Sequence, residues 1–236
     1  MPQDGYRVKV LTGLCCLAAV VAVGLAVGRG PAPAASAGPA RLDDAVRRHL
    51  HGWLEQRPYR GLVGKVAAER RDGHGTYVTA ALPLLAAAVV AVVPVVAASG
   101  TARGGRPRAR LPRRRWLPWV PWLAVLLATV PLAWALRVAF GRPGPDEGPV
   151  QAWSQGAYPS GGALLVALGW IIGGAVTAWL RPSWRRPLLA LAALALAAHL
   201  FARVAVGDHW LTDVVGSYLL AAGAALLADK LRPRRD

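Results

Sequence analysis

The stretch Arg113-Arg-Arg-Trp-Leu-Pro-Trp-Val-Pro-Trp-Leu-Ala-Val-Leu-Leu-Ala-Thr-Val-Pro-Leu-Ala-Trp-Ala-Leu136 decides the fold. It changes abruptly from a run of arginine to a block, residues 116–136, without one charged side chain. A helix rises about 1.5 Å per residue and must cross roughly 30 Å of hydrocarbon, so a block of about 20 apolar residues has the length of a membrane span.

The same pattern repeats outward from it. Uncharged apolar blocks occupy residues 10–28, 77–98, 161–180 and 188–202, and a last block, 210–228, is interrupted only by Asp213. In a soluble domain, a 55% hydrophobic content would be spread over amphipathic periods instead of collected in blocks. The expected fold class is all-α, a polytopic membrane helical bundle of about six transmembrane helices. The block 188–202 is short and reaches spanning length only by continuing past Arg203, an ionisable residue that is costly in lipid unless it faces a polar site.

The net charge of +16 sits between the blocks. Arg103, Arg106, Arg108, Arg110, Arg113, Arg114 and Arg115 fill one connection, Arg181, Arg185 and Arg186 another, and Lys230, Arg232, Arg234 and Arg235 the tail. With Arg7 and Lys9, they fall on one side of a six-span arrangement. Cations in short loops stay in the cytoplasm, which places both termini there and makes a nucleic-acid partner unnecessary. The opposite side receives residues 29–76, residues 137–160 and a tight turn around Gly207. The first of these carries nine Lys/Arg but also Asp43, Asp44, Glu55, Glu69 and Asp72, and is long enough for the charge rule to weaken.

The chain divides accordingly. Residues 1–29 form a first transmembrane helix or, read with the small-residue run Ala34-Ala35-Ser36-Ala37, a cleavable signal peptide. Residues 30–76 are an outer segment, 77–232 the membrane core and 233–236 a basic cytoplasmic tail. In the outer segment a Pro, Ala and Gly rich linker precedes Leu42, Val46, Leu50 and Leu54, whose spacing predicts an amphipathic helix lying on the outer surface. His49, His51 and His74 read as interfacial side chains, with no metal-site spacing around them. Cys15 and Cys16 are adjacent and read as lipid-facing or packed thiols without a disulfide. Trp116, Trp119 and Trp122 are expected to form an aromatic belt where the third helix enters the membrane.

Three outward segments carry polar residues that a plain bundle does not need: residues 137–145 with Arg137 and Arg142, residues 158–162 with Ser160 and Gly161, and residues 203–213 with Arg203, His209 and Asp213. His209 and Asp213 are four apart, so on one helical face the carboxylate can hold one imidazole nitrogen and leave the other basic. Arg137, Arg142 and Arg203 offer planar, permanently charged donors matched to phosphate oxygens. Ser160 and Gly161 start a helix after a proline, where free N–H groups and the helix dipole favour an anion. Each element also has a plainer reading: arginines snorkelling to headgroups, an ordinary helix start, a structural His–Asp pair.

These segments together resemble the type-2 phosphatidic-acid phosphatase superfamily, which includes the vanadium haloperoxidases, over roughly Tyr77 to the C-terminus. The family's signatures run K-x6-R-P, P-S-G-H and S-R-x5-H-x3-D. Arg203, His209 and Asp213 match the third, with Ala202 for its serine. The first is altered: Arg137 stands for the lysine, Pro145 aligns, and Gly144 occupies the arginine position, with Arg142 two residues earlier as a substitute. The second matches at Pro159, Ser160 and Gly161 and departs at Gly162, where the family has histidine.

The resemblance implies a lipid phosphatase or diphosphatase acting on phosphatidate or a polyprenyl diphosphate at the outer face, without metal or cofactor. It implies His209 as nucleophile forming a phosphohistidine, Asp213 as its orienter, and Arg137, Arg142, Arg203, Ser160 and Gly161 as phosphate binders. The general acid is missing at Gly162. Such an acid is typically worth about 10²- to 10⁴-fold, and a phosphate leaving group needs it less than an alkoxide does. The alternative is a catalytically weakened member that binds lipid phosphate or serves as a membrane scaffold. A transporter of lipid headgroups is a third reading, for which the paired repeats with discontinuous helices are lacking.

Overall fold

The computed structural model of the chain describes residues 3–28, 39–54, 119–145, 156–180, 182–205 and 207–231. The block 77–98, the arginine-rich connection 103–115, Trp116, His74 and the tail beyond Leu231 lie outside the described residues. The described residues are helical with no strand: α1 (Gln3–Val27), α2 (Pro39–Leu54), α3 (Val120–Phe140), α4 (Gly161–Leu180), α5 (Arg185–Ala205) and α6 (Leu211–Leu227). A 3₁₀ turn, Pro182–Trp184, leads into α5 and another, Ala228–Leu231, follows α6.

Five helices are long and apolar enough to cross a membrane, over Tyr6–Val27, Val120–Phe140, Gly161–Trp179, Pro182–Ala205 and Leu211–Leu231. The chain is a multi-pass membrane protein. The fourth of these spans resolves the short block at 188–202: the helix starts at Arg185 and continues two residues past Arg203.

Helix α6 is the centre of the bundle. It packs along α1, α4, α3 and α5, and Val214, Leu220, Ala221 and Ala224 are buried on it. Small residues allow the closest approach, because lipid tails are as apolar as the helix faces and dispersion must hold the helices together. At the α1–α6 contact, a Cβ on Gly13 would meet the Gly223 carbonyl oxygen at 3.1 Å. Lys9 Nζ binds Asp229 Oδ2 at 2.7 Å at one end of this contact. At the other end the Tyr158 hydroxyl donates to the Val20 carbonyl at 2.5 Å.

Two expectations change. Trp119 and Trp122 are each 2% exposed. Their rings pack edge-on at 5.5 Å, with Trp179 a further 5.8 Å from Trp119. They fill the bundle interior instead of forming a lipid-facing belt, because aromatic rings from α3 and α4 meet there. Helix α2 forms as the leucine spacing predicts, yet Leu42 is 53% exposed and Asp43 is 1% exposed. The helix is seated through a buried carboxylate, with Val46 and Leu50 of its apolar stripe half-buried beside it. Cys15 and Cys16 are free thiols, exposed and partly exposed.

Candidate functional site

All three polar segments gather at one end of the bundle, opposite Lys9 and Asp229. Gly141 ends α3 in the left-handed conformation (φ 55°), its N–H donating to the Arg137 carbonyl at 2.9 Å. The chain then turns inward, so the Arg142 carbonyl accepts the Ala157 N–H at 2.6 Å and the Pro143 carbonyl accepts the Trp210 indole N–H at 3.0 Å. The start of α4 is stitched to α6: Ser160 N–H donates to the Asp213 carbonyl at 3.1 Å, and the Ser217 hydroxyl lies 2.8 Å from the carbonyls of both Ser160 and Asp213.

Arg137 Nε donates to the Gly156 carbonyl at 2.6 Å, which sends the guanidinium toward the start of α4. A Cβ on Gly161 would lie 3.4 Å from Arg137 Nη1. Arg137 and the N-terminal N–H groups of α4 therefore share one location, a cation beside the positive end of a helix dipole. Ser160 is fully buried, and its hydroxyl oxygen accepts the Ala163 N–H at 3.3 Å as an ordinary N-cap.

The turn between α5 and α6 carries Arg203, Asp208 and His209. Gly207 adopts a positive φ of 79°, a backbone that L side chains rarely take. The Arg203 carbonyl accepts the Asp208 and His209 N–H groups at 3.1 and 3.4 Å, and Arg203 Nη1 pairs with Asp208 Oδ2 at 2.7 Å. Trp210 is extended (φ −70°, ψ 155°), so α6 begins only at Leu211. His209 thus precedes the helix, and the shared helical face expected from its spacing to Asp213 does not form. The fold brings the two together by another route: Asp213 is the third residue of α6, and its Oδ2 accepts the Trp210 N–H at 2.9 Å and stands 3.5 Å from His209 Nδ1. That separation is longer than a hydrogen bond, and the buried His209 Nδ1 has no hydrogen-bond partner among the described residues.

Arg142 departs from its expected role. It is 5% exposed, and its guanidinium is shared by two carboxylates, Asp213 Oδ1 at 2.7 Å and Asp43 Oδ2 at 2.7 Å. It also donates to the Thr212 hydroxyl at 2.6 Å and lies 5.2 Å over the Trp210 ring. Here it organises acidic side chains and is not turned toward an anion site. The Tyr158 phenol beside this network is pushed well above its ordinary range by burial, with the Asp213 carboxylate adding to the shift and Arg142 opposing it.

Sequence reading missed three participants. Asp43 and Thr212 belong to the Arg142 network, and no local signal links residues this far apart. His199 lies four residues before Arg203 on α5, which places both on one face and was a usable signal. Its ring is 9% exposed, within electrostatic reach of Arg203 and His209. The Tyr218 hydroxyl lies 3.0 Å from the Leu196 carbonyl and 3.0 Å from His199 Nδ1. Nε2 has no hydrogen-bond partner among the described residues. No group of three or more metal-ligating side chains occurs among the described residues.

No family model matches the chain, and no curated protein matches it. Among solved structures, it is similar to the first transmembrane PAP2 type phosphatidylglycerolphosphate phosphatase from Bacillus subtilis, with 17% identity and a TM-score of 0.44 over 80% of this chain and 94% of that one.

Proposed function

We propose that this protein is a membrane lipid phosphatase or diphosphatase whose nucleophile is His209. One observation carries the reading: Asp213, whose carbonyl accepts the Ser160 N–H at the start of α4, turns its Oδ2 toward His209 Nδ1 at 3.5 Å, and Arg137 lies beside the same helix start. A carboxylate that closes onto Nδ1 when substrate binds would hold the imidazole and present Nε2 as a nucleophile. In the proposed step Nε2 attacks phosphorus, the bond from phosphorus to the lipid-side oxygen breaks, and that oxygen leaves with the electron pair and takes a proton from water. A second water then cleaves the P–N bond, releasing phosphate and restoring the imidazole. Arg137, Arg203 and the Gly161 N–H counter the charge on the equatorial oxygens. The mechanism calls for no metal or cofactor.

Gly162 provides no proton donor, so a diphosphate, with its less basic leaving group, fits better than phosphatidate. The core is assigned to residues 77–232. The basic residues at the opposite end, with Lys9 and Arg185 among them, support an orientation with that end and both termini in the cytoplasm and the site on the outer face. A second reading, a lipid-phosphate-binding or scaffold protein without turnover, is favoured by one observation: Arg142 is already held by two carboxylates.

The deciding experiment assays purified protein on polyprenyl diphosphate and phosphatidate beside His209→Ala, with acid-quenched trapping of phosphohistidine. Release of phosphate that disappears in His209→Ala supports the phosphatase. Tight lipid binding with no release in either protein supports the binding protein, and release that survives His209→Ala overturns the nucleophile.

A further inference from the structure

Asp43 lies outside the segments that carry the proposed chemistry, yet it is bonded into them. Both of its oxygens are engaged: Oδ1 accepts the Thr212 N–H at 2.9 Å, and Oδ2 accepts the Thr212 hydroxyl at 2.6 Å and Arg142 Nη2 at 2.7 Å. Arg142 reaches on through Nη1 to Asp213 Oδ1 at 2.7 Å, and Asp213 Oδ2 faces His209. Two ion pairs therefore run from α2 to Asp213, whose other oxygen stands 3.5 Å from the proposed nucleophile.

Two features show that the contact is more than a helix resting on a surface. Thr212 is in the first turn of α6, where backbone N–H groups lack helical partners and the dipole favours an anion; Asp43 supplies one. The seat is also bracketed, with the Arg47 guanidinium 5.6 Å from the Trp210 ring centroid and Trp53 edge-on to Phe201 at 6.1 Å. Helix α2 is thereby fixed to both α5 and α6.

We propose that Asp43 is a positioning residue for His209: by holding Arg142 and the first turn of α6, it fixes the Asp213 carboxylate in its orientation toward the imidazole. Two carboxylates share one guanidinium, so neither takes it bidentately. Without Asp43, Arg142 turns both forks onto Asp213, and Asp213 Oδ2 is drawn from Trp210 and His209 toward the arginine. The proposal rests on the reading of His209 as the nucleophile. It adds a residue from the outer segment, ahead of the proposed core, to the working parts of the site.

The test uses the full chain in nanodiscs, with Asp43→Asn beside Asp44→Asn, a half-buried neighbour on the same helix. On whichever of polyprenyl diphosphate or phosphatidate the wild type hydrolyses, Asp43→Asn lowers kcat by about tenfold or more, because a shift of about 1 Å in a reacting group can cost about a hundredfold. KM moves little, since Arg137 and Arg203 are untouched, and Asp44→Asn is silent. Thr212→Val, which removes the hydroxyl that bridges Asp43 and Arg142 and keeps the backbone link to Asp43, lowers kcat in the same direction. An unchanged kcat in Asp43→Asn overturns the proposal, and so does a lower KM with a higher kcat, which makes Asp43 an obstacle in an anion site. If the wild type hydrolyses neither lipid, the phosphatase reading fails, and positioning is read without substrate from the rate at which diethyl pyrocarbonate modifies His209, followed by mass spectrometry. A change of about threefold or more in Asp43→Asn, the scale of coupling through packed networks, supports it; an unchanged rate overturns it.

Discussion

Arg142 Nη1 donates to Asp213 Oδ1 across 2.7 Å at a point where the arginine side chain is 6% exposed and the aspartate fully buried. The same guanidinium neutralises Asp43, so one cation serves two buried anions. Arg142→Met leaves both carboxylates buried and uncompensated, an effect of about 3–5 kcal/mol when one partner of a buried pair is removed. Thermal unfolding in detergent should show a large fall in Tm. Adding Asp43→Asn to Arg142→Met should recover part of it, and a double mutant no better than the single one shows that repulsion between the carboxylates is not the cause.

Gly162 leaves the proposed reaction without a proton donor, so activity should fall steeply as the leaving group becomes more basic. Gly162→His is expected to raise phosphatidate hydrolysis by about 10²-fold or more and polyprenyl diphosphate hydrolysis by much less, following the usual worth of a general acid. Equal gains on both substrates dissociate the effect from leaving-group protonation.

Tyr158 sets a pH dependence. Burial raises its phenol above the ordinary value of 10.0, so the neutral form is favoured in the fold; the stability it gives is complete below about pH 10 and is lost as pH rises further. Unfolding followed from pH 8 to 11 should show an alkaline loss that is smaller in Tyr158→Phe. Below pH 10 that variant should be weaker by about 1 kcal/mol, for the hydrogen bond to Val20.

Gly216 faces the same ring. A Cβ there would stand 2.6 Å from Tyr158 Cε2 and 2.7 Å from its hydroxyl oxygen. Gly216→Ala should therefore cost about 1–3 kcal/mol by overpacking, against the usual gain from removing a helical glycine. An increase in Tm for this variant contradicts the close packing of α6 on the Tyr158 loop.

Topology is open to direct labelling in a chain whose Cys15 and Cys16 are replaced by serine. A single cysteine at exposed Arg48 should react with a membrane-impermeant maleimide on intact cells, and one at Lys230 only after permeabilisation. The reverse pattern inverts the assigned orientation.

The spans were legible because hydrocarbon thickness imposes a length on any helix that crosses it. The block 161–180 coincides with α4, and the short block at 188–202 lengthened at both ends once Arg203 proved to have Asp208 for a partner. The three polar segments were legible as a group, since such residues are costly at the membrane edge and the fold brings segments 137–145, 158–162 and 203–213 into contact. Partners across the fold were not. The leucine spacing of α2 says where a helix is, but nothing in it says that Asp43 meets Thr212 and Arg142. The spacing of His209 to Asp213 suggested a helical face, whereas the extended backbone at Trp210 starts the helix after the histidine. Trp119 and Trp122 follow a basic run as interface anchors do, and which side of a helix faces its neighbours is not written in that position.

The seat of Asp43 also carries a consequence for biosynthesis. Arg142 is made 99 residues after Asp43 and Thr212 169 residues after it. At about 5–20 residues per second, α2 waits roughly 10–30 s for the turn that receives it. Arg142 is made within that interval but the first turn of α6 is not, so the full seat of Asp43 forms only after Thr212 has been synthesised, and docking of α2 is a late event.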